Sequence, residues 1–244
     1  MKSLWRMQLE KNINILLLGS SKGLGKVLYE LFKKNKYEVV GVSRTVSAQT
    51  DFICDLSDKN QVLKLIKDIS ITTIPQYIIF NAGKGSSNKE TLEERREELM
   101  NHNFYTSKHF VEEIKVDPFW TDNLKGLTFI NSICALENFK CSEEYKYAKK
   151  ELLNYCRKIS NELITKKIRV NSILPGNIMH ENSIWNEKFE SKEDEVNFVE
   201  KTMPFDEWIY PEDVFKTIEF LVHNQNVVNT EIILDGGQNL ISPN

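Results

Sequence analysis

The middle of the chain carries three side chains that together can transfer a proton: Ser132, Tyr145 and Lys149. Tyr145 and Lys149 are four residues apart, so on a helix they lie on one face. A phenol has a pKa of about 10 in water, and a neighbouring ammonium group lowers that pKa. Such a pair alone is typical of an exposed helix surface, but Ser132, at a predicted strand end, adds a hydroxyl that can polarise a carbonyl. Together they predict acid–base chemistry at a carbonyl or alcohol carbon, with Tyr145 as the acid or base.

A glycine-rich turn near the N-terminus predicts a site for a phosphate group. The first apolar segment, Ile13–Leu18, runs directly into Gly19-Ser20-Ser21-Lys22-Gly23-Leu24-Gly25. A turn of this kind between a buried strand and a helix lets backbone N–H groups approach a phosphate at the helix N-terminus. The spacing is G-x-x-x-G-x-G rather than G-x-G-x-x-G, and by itself it also fits a tight turn without a ligand.

The end of the second predicted strand carries Ser43 and Arg44, and Lys22 precedes the second glycine of the turn. A site for NAD(H) places an Asp or Glu here to bind the 2′-hydroxyl of the ribose. Two cations and no carboxylate suit the 2′-phosphate of NADP(H) instead. The sequence therefore favours NADP(H) over NAD(H). The alternative is that both cations are solvated at the surface.

Apolar and polar segments alternate along the whole chain in a strand–helix rhythm. Buried strands are predicted at 13–18, 38–42, 51–54, 77–80, 127–130, 168–173 and 231–234. Helices are predicted at 24–34, 61–69, from Thr91 towards Ile114 with room for a break, 144–164, and from Pro211. Repeated strand–helix–strand units imply an α/β fold, a doubly wound parallel sheet of about seven strands with helices on both faces. We expect one domain over 1–244, in which the polar segment 181–207 forms either a lid or surface helices.

Composition excludes several classes of protein. The 244 residues are 41% hydrophobic and 27% charged with a net charge of −3, which is typical of a globular domain. No basic stripe predicts nucleic-acid binding, and no apolar run approaches the roughly 18–20 residues of a membrane span. Met1–Asn12 lacks the apolar region of a secretory signal, and Cys54, Cys134, Cys141 and Cys156 have no zinc-binding spacing. We expect a cytoplasmic protein with reduced thiols and no metal, nucleic-acid or membrane partner.

The motifs, in their order along the chain, resemble those of the short-chain dehydrogenase/reductase (SDR) family in its compact, single-domain form. The match runs from Ile13 to Gly237, nearly the full length. The matching segments are Leu18–Gly25 for T-G-x-x-x-G-x-G, Asp55-Leu56, Phe80-Asn81-Ala82-Gly83 for N-N-A-G, Asn103, Ser132, Tyr145, Lys149, Pro175-Gly176-Asn177-Ile178, Pro211-Glu212-Asp213 and Asp235-Gly236-Gly237. Asn103 fits better than Asn101 because of the residues that follow it. The resemblance implies a Rossmann-like fold.

The resemblance also implies a role for each matching residue. Tyr145 would donate a proton to the substrate carbonyl, while Lys149 binds the nicotinamide ribose and lowers the pKa of Tyr145. Ser132 would position the carbonyl, and Asn103 would support a water chain that returns the proton. The residues expected to contact the cofactor are Gly19, Ser21, Lys22, Gly23, Leu24, Ser43, Arg44, Asp55, Leu56, Asn81, Ala82, Gly83, Tyr145, Lys149, Pro175, Gly176 and Ile178.

Three positions depart from the family pattern. Leu18 replaces a Thr and Phe80 replaces an Asn, so hydrogen bonds that brace the cofactor floor are lost. His180 stands where the family often has a Thr that reaches the nicotinamide amide. These departures bear on cofactor affinity rather than on the fold, and none of them removes a catalytic position.

By this resemblance we expect an NADPH-dependent enzyme that reduces a ketone or aldehyde to an alcohol, or catalyses the reverse. Carboxylates dominate the segment 181–207, which disfavours an acidic acyl-carrier partner and favours a keto-sugar or another small polar carbonyl. A 3-oxoacyl-[acyl-carrier-protein] reductase and a non-catalytic NADP(H)-binding regulatory or scaffold protein are the alternatives.

Members of the family usually assemble as homodimers or homotetramers through two long helices and the C-terminal segment, and we expect assembly here. Leu152, Tyr155, Cys156 and Ile159 of the second long helix would then serve either that contact or the core.

Overall fold

The computed structural model describes residues 13–136, 139, 141–181, 183–186 and 188–241. Among these residues, seven parallel strands form one sheet in the order β3-β2-β1-β4-β5-β6-β7. The strands are β1 (Asn14–Leu18), β2 (Glu38–Ser43), β3 (Phe52–Ile53), β4 (Tyr77–Phe80), β5 (Gly126–Ile130), β6 (Arg169–Pro175) and β7 (Glu231–Leu234). The sheet confirms the predicted doubly wound α/β fold, because short apolar runs bounded by turns mark strands that are buried on both faces.

Helices cover both faces of the sheet. In the described ranges they are α1 (Gly23–Lys34), α2 (Lys59–Thr72), α3 (Leu92–Met100), α4 (Thr106–Ile114), α5 (Pro118–Asn123), α6 (Glu143–Leu163), α7 (Lys192–Thr202), α8 (Pro211–His223) and α9 (Gln238–Ile241). Helices α1 and α8 build one core, whereas α2, α4 and α6 build the other. Alternate residues of β1 divide between these cores, with Leu16 in one and Leu17 in the other.

The order of the strands creates a crevice at one edge of the sheet. β1 pairs with β2 on one side and with β4 on the other. The chain therefore extends the sheet in one direction through β2 and β3, and then in the opposite direction from β4 onwards. Ligands bind to such sheets at the carboxyl ends of the strands where the order reverses. Gly19, after β1, and the Asn81-Ala82-Gly83 turn, after β4, lie at this point.

The predicted long helix from Thr91 to Ile114 is interrupted. It begins with the predicted capping box, in which the Glu94 N–H donates to the Thr91 hydroxyl and the Thr91 N–H donates to the Glu94 carboxylate. A π turn, Asn101–Tyr105, separates α3 from α4. The sequence analysis did not predict α5, although Pro118 at its first turn is a helix-start signal.

Within the described residues, no helix is both long enough and apolar enough to cross a bilayer. The segment Met1–Asn12, on which the expectation about a secretory signal rests, lies outside those residues. So do Asn182 and Glu187 of the segment 181–207.

Candidate active site

A cleft at the reversal point brings together residues from four separate turns of the chain. The residues that were predicted from the sequence and that line it are Gly19, Ser21, Lys22, Ser43, Arg44, Asp55, Leu56, Asn81, Ala82 and Gly83. Thr45, Cys54, Ser57, His102 and Thr106 also line it. The sequence analysis missed this second group, although Thr45 follows Arg44 directly and His102 precedes Asn103.

The glycine-rich turn is compact because side chains are excluded from it. Gly19 has a φ of +95°, and a Cβ there would lie 2.6 Å from the backbone nitrogen of Ala82. A Cβ on Gly25 would lie 1.8 Å from the carbonyl oxygen of Gly19. The Asn81 amide then donates to the same carbonyl oxygen at 2.7 Å, which ties the ends of β1 and β4 together.

The N-terminus of α1 faces this cleft with uncapped N–H groups. Lys22 occupies the N-cap position but makes no side-chain capping hydrogen bond, and the first turn carries no acidic residue. The first N–H groups of a helix lack partners within the helix, and an anion satisfies them. The cleft, with its small residues and its nearby cations, therefore fits the pyrophosphate of a dinucleotide.

Cationic side chains and hydroxyl groups lie beyond the end of β2. Arg44 donates to Nε2 of His102 at 3.0 Å, and Nδ1 of His102 lies 3.1 Å from the carbonyl oxygen of Glu98. Burial, followed by the charge of Arg44, lowers the pKa of His102, so the ring is neutral and accepts from the guanidinium. The Ser43 hydroxyl is engaged within its own loop, where it donates to the Thr45 carbonyl at 2.6 Å. The cationic donors that line this end of the cleft, among the described residues, are the two predicted cations, Lys22 and Arg44.

Asp55 lies at the other side of the same cleft as an ionised group. Burial opposes its charge, but hydrogen bonds from the Ser57 hydroxyl at 2.7 Å and the Ser57 N–H at 3.0 Å hold its pKa below the ordinary value. A fixed acceptor at this place is compatible with the adenine contact that the family resemblance implies.

A second cavity, of about 600 Å³, adjoins residues that the sequence predicts to be catalytic. Ser132, Tyr145, Pro175, Gly176 and Ile178, all predicted from the sequence, line this cavity. Asn131, Ser142, Trp185, Lys188, Phe198, Lys201 and Gln238 are among the further lining residues that the sequence analysis did not assign to a site. A volume of this size is typical of a small-molecule site.

Lys149 connects the catalytic residues to the dinucleotide cleft. It is buried, and its ammonium group donates to the carbonyl oxygen of Ile130 at 3.3 Å. Its Nζ lies 5.7 Å from the centre of the Tyr145 ring and 3.8 Å from the point where a Cβ on Gly83 would stand. The predicted proximity of Tyr145 and Lys149 on one helix face, that of α6, is therefore present.

The protein's own groups do not lower the pKa of Tyr145. Burial in the cavity wall raises the pKa of Tyr145, the charge of the Cys134 thiolate adds to this, and a hydrogen bond with Ser132 only partly opposes it. Burial likewise lowers the pKa of Lys149 to about 8. Low-dielectric surroundings disfavour both charged forms.

Asn103 is held by the π turn. Its amide donates to the carbonyl oxygens of Lys84 and Leu99, both at 2.9 Å, and its oxygen accepts from the Lys84 N–H at 3.2 Å. A Cβ on Gly83 would lie 2.9 Å from that oxygen, so the glycine permits Asn103 to approach the cleft. π turns of this kind occur frequently at functional sites.

Some predicted residues lie apart from both cavities. Gly23 and Leu24 line neither; Gly23 has a φ of +56° and begins α1, and a Cβ there would lie 3.4 Å from the His180 ring. Leu18 is fully buried, and Phe80 stacks on Phe129 at 4.4 Å. These two departures from the family pattern therefore fill the core.

Comparisons with known proteins identify the family of this chain. The family model described as "Enoyl-(Acyl carrier protein) reductase" matches residues 21–239. Carbonyl reductase family member 4 of Xenopus laevis is 24% identical over 238 residues, which cover 92% of this chain and 97% of the relative. The chain belongs to the short-chain dehydrogenase/reductase family, and it is an oxidoreductase of that family.

Solved structures show the same fold at low identity. The aldohexose dehydrogenase of Thermoplasma acidophilum superposes with a TM-score of 0.82 at 19% identity, covering 96% of each chain. ElxO with NADP bound superposes with a TM-score of 0.76 at 24% identity, covering 92% of this chain and 98% of that one.

Proposed function

We propose that this protein is an NADPH-dependent carbonyl reductase, or the corresponding alcohol dehydrogenase, with Tyr145 as the acid or base. The observation that carries the proposal is the position of Tyr145 and Lys149. Tyr145 lines the substrate cavity beside Ser132, and Lys149 lies beside Gly83 of the dinucleotide cleft. An acid–base pair between a cofactor cleft and a substrate cavity suits a reaction in which a hydride and a proton reach the same carbonyl group.

Each side chain has a distinct task in this proposal. The cofactor, when bound, supplies the hydride. The phenol of Tyr145, which its burial keeps protonated, donates a proton to the carbonyl oxygen. Ser132 hydrogen-bonds with Tyr145 and holds the carbonyl oxygen close to it. Lys149 binds the nicotinamide ribose, and Asn103 holds the chain around Lys84 and Leu99 so that the proton can be replaced through water.

The preference for NADPH is argued from charge. Lys22 and Arg44 both line the cleft, while Asp55, the one carboxylate among the described lining residues, is already engaged by Ser57. A 2′-phosphate gains hydrogen bonds from both cations, and a 2′-hydroxyl finds no carboxylate acceptor at the end of β2.

Two other functions remain to be separated from this one by experiment. The family model and its description point to acyl-carrier substrates, for which a 3-oxoacyl or an enoyl thioester is the test compound. A protein that binds NADP(H) without turnover is the second alternative. The catalytic set argues against it, since binding alone requires neither Ser132 nor Tyr145.

Fluorescence titration of the purified protein with NADPH and separately with NADH is the first experiment. We expect tight binding of NADPH and weak binding of NADH, with Arg44→Ala reducing the difference. A panel of ketones, aldehydes, keto-sugars and acyl thioesters then follows, with Tyr145→Phe as the control that keeps the cavity but removes the hydroxyl.

The outcomes separate the candidates. Turnover of a carbonyl compound that disappears in Tyr145→Phe, while NADPH binding is retained, supports the proposal. Turnover that survives in Tyr145→Phe contradicts the assigned proton donor. Equal binding of both nucleotides contradicts the cofactor preference alone, and binding without any turnover favours the non-catalytic alternative.

A further inference from the structure

The segment 184–202 lines part of the second cavity, and its lining side chains differ in type from those that its acidic composition predicts. Beside the catalytic residues, it contributes Ile184, Trp185, Lys188, Phe198 and Lys201 to the lining. These are aromatic, aliphatic and cationic side chains. The carboxylates that dominate this segment in the sequence do not appear among the described lining residues.

The aromatic part of this wall is fixed by packing. Trp185, Phe189, Phe198 and Trp208 form a cluster, here called the lid cluster, whose rings pack with Trp185–Phe198 at 5.2 Å and Trp185–Trp208 at 5.6 Å. Because each ring contacts several others, Trp185 and Phe198 present a preorganised flat apolar surface to the cavity. Such a surface suits an aromatic or aliphatic substrate body better than a polyol.

Two lysines accompany this surface. Nζ of Lys188 lies 4.2 Å from the centre of the Trp185 ring and 5.2 Å from that of Phe198. Lys201 lines the same cavity from the last turn of α7. In the described part of the chain, neither lysine has a carboxylate within salt-bridge distance. Two cations for which the described residues supply no carboxylate partner therefore border the apolar wall.

Two of the neighbouring carboxylates are engaged away from the cavity. Glu195 accepts from Nε1 of Trp208 at 3.1 Å and from Lys192 at 2.8 Å. Asp194 accepts from the Ser191 hydroxyl at 2.7 Å at the start of α7. Among the described residues that line the cavity, the charged side chains are cations.

We propose that the substrate is a carbonyl compound with a flat or aliphatic apolar body and a carboxylate group, which Lys188 and Lys201 bind while Trp185 and Phe198 contact the body. This inference rests on the proposed carbonyl reductase function and replaces the small polar carbonyl favoured by the sequence with an amphipathic oxo-acid. Lys188 and Lys201 are then specificity-determining residues, and they act on substrate binding rather than on proton transfer.

The test compares matched substrates. With NADPH saturating, kcat/KM is measured for para-acetylbenzoate, its neutral methyl ester, dihydroxyacetone, and the N-acetylcysteamine thioester of acetoacetate. We expect the acid to exceed its ester in kcat/KM, with the difference in KM. Raising the salt concentration from about 0.05 M to about 0.5 M should reduce this preference, because exposed charges are screened.

Variants identify the residues responsible. An exposed ion pair contributes at most about 1 kcal/mol, so each of Lys188→Gln and Lys201→Gln should raise KM for the acid up to about fivefold. The double variant should largely abolish the preference for the acid over the ester. Lys192→Gln is the matched control, since Lys192 lies on α7 and does not line the cavity. It should leave the ratio as it is in the wild type.

The failure of this inference differs from the failure of the proposed function. Equal kcat/KM for acid and ester, a higher value for dihydroxyacetone or the thioester, or an unchanged ratio in the double variant would overturn the inference while the reductase stands. If no carbonyl compound is reduced, the proposed function fails, and ligand-detected NMR decides the inference. Binding of the unreactive para-ethylbenzoate, absent for para-ethylbenzamide and lost in the double variant, would support it. Equal binding of the two compounds would contradict it.

Discussion

Burial sets the direction of the pKa shifts of Tyr145 and Lys149, the two titrating groups predicted to be catalytic. The phenol of Tyr145 stays protonated because its pKa is raised, and the ammonium of Lys149 becomes easier to deprotonate because its pKa falls to about 8. The residue whose pKa lies nearer to neutral pH is therefore Lys149 rather than Tyr145.

This assignment predicts how NADPH affinity depends on pH. The positive charge of Lys149, with a pKa of about 8, is complete well below that pH and is lost above it. The dissociation constant for NADPH should therefore rise as pH increases from 7 through 9. In Lys149→Met the affinity should be lower throughout but nearly independent of pH over this range. Fluorescence titrations at a series of pH values measure both. A slope that persists in Lys149→Met would show that another group is responsible.

At the scale of the elements, the π turn Asn101–Tyr105 determines where Asn103 lies. The side chain of Asn103 makes three hydrogen bonds to backbone groups of Lys84 and Leu99 and is buried. Asn103→Ala removes the hydrogen bonds to the buried Leu99 carbonyl and to the part-buried backbone of Lys84, which costs about 1–3 kcal/mol. We expect its free energy of unfolding in urea to be lower than that of the wild type by this amount.

Asn101 provides the control for this prediction. It lies two residues earlier in the same turn, and no hydrogen bond of its side chain is present within the described residues. Asn101→Ala should therefore change the free energy of unfolding by less than about 0.5 kcal/mol. An equal loss in the two variants would mean that the turn itself, rather than the Asn103 hydrogen bonds, sets the stability.

The lid cluster is the second element with its own prediction. Trp208 is buried there, in contact with Phe198 at 5.8 Å. Trp208→Ala removes the ring and should destabilise the cluster by about 3–5 kcal/mol. We expect limited proteolysis to cleave within 181–207 faster in this variant, while the main thermal transition changes little. Phe205→Ala is the control, because Phe205 is 78% exposed. Proteolysis at unchanged rates in Trp208→Ala would contradict the expectation that the packing of this cluster holds the segment 181–207.

The sequence was sufficient for the elements and for most of the dinucleotide cleft, because both depend on local patterns. Apolar runs fix strands, and a glycine turn after the first strand fixes the helix N-terminus. What the sequence could not provide depends on contacts between distant residues. The approach of Arg44 to His102 joins positions 58 residues apart. The sign of the charge at the substrate cavity depends on which side chains of 181–207 face inwards, and composition alone led to the opposite expectation.

The direction of the pKa shift of Tyr145 likewise depends on contacts that the sequence does not show. Helical spacing correctly placed Lys149 beside it, but spacing carries no information on how far both groups are removed from water. Burial, which depends on the whole cavity, decided the direction.

At the scale of the whole molecule, the question is which surface would join two copies. The sequence left open whether four apolar residues of α6 join two copies or pack in the core. All four, Leu152, Tyr155, Cys156 and Ile159, are buried within the protein. Exposed apolar side chains occur at several places among the described residues, and one of them is Ile233 on β7, which is 46% exposed. β7 is also an edge strand of the sheet. An edge strand with an exposed apolar side chain is a surface that a second copy can cover.

We therefore predict a homo-oligomer that uses this edge-strand surface in a symmetric contact, in which the same patch of each copy meets its equivalent. Light scattering after size exclusion should give the wild type a mass that is a multiple of 28.5 kDa. Ile233→Lys places a charge on the edge strand and should reduce the mass to that of one chain. Val116→Lys is the control, because Val116 is 70% exposed on the loop between α4 and α5 and should leave the mass unchanged. A monomeric wild type, or an oligomer that tolerates the lysine at position 233, would contradict this surface as the interface.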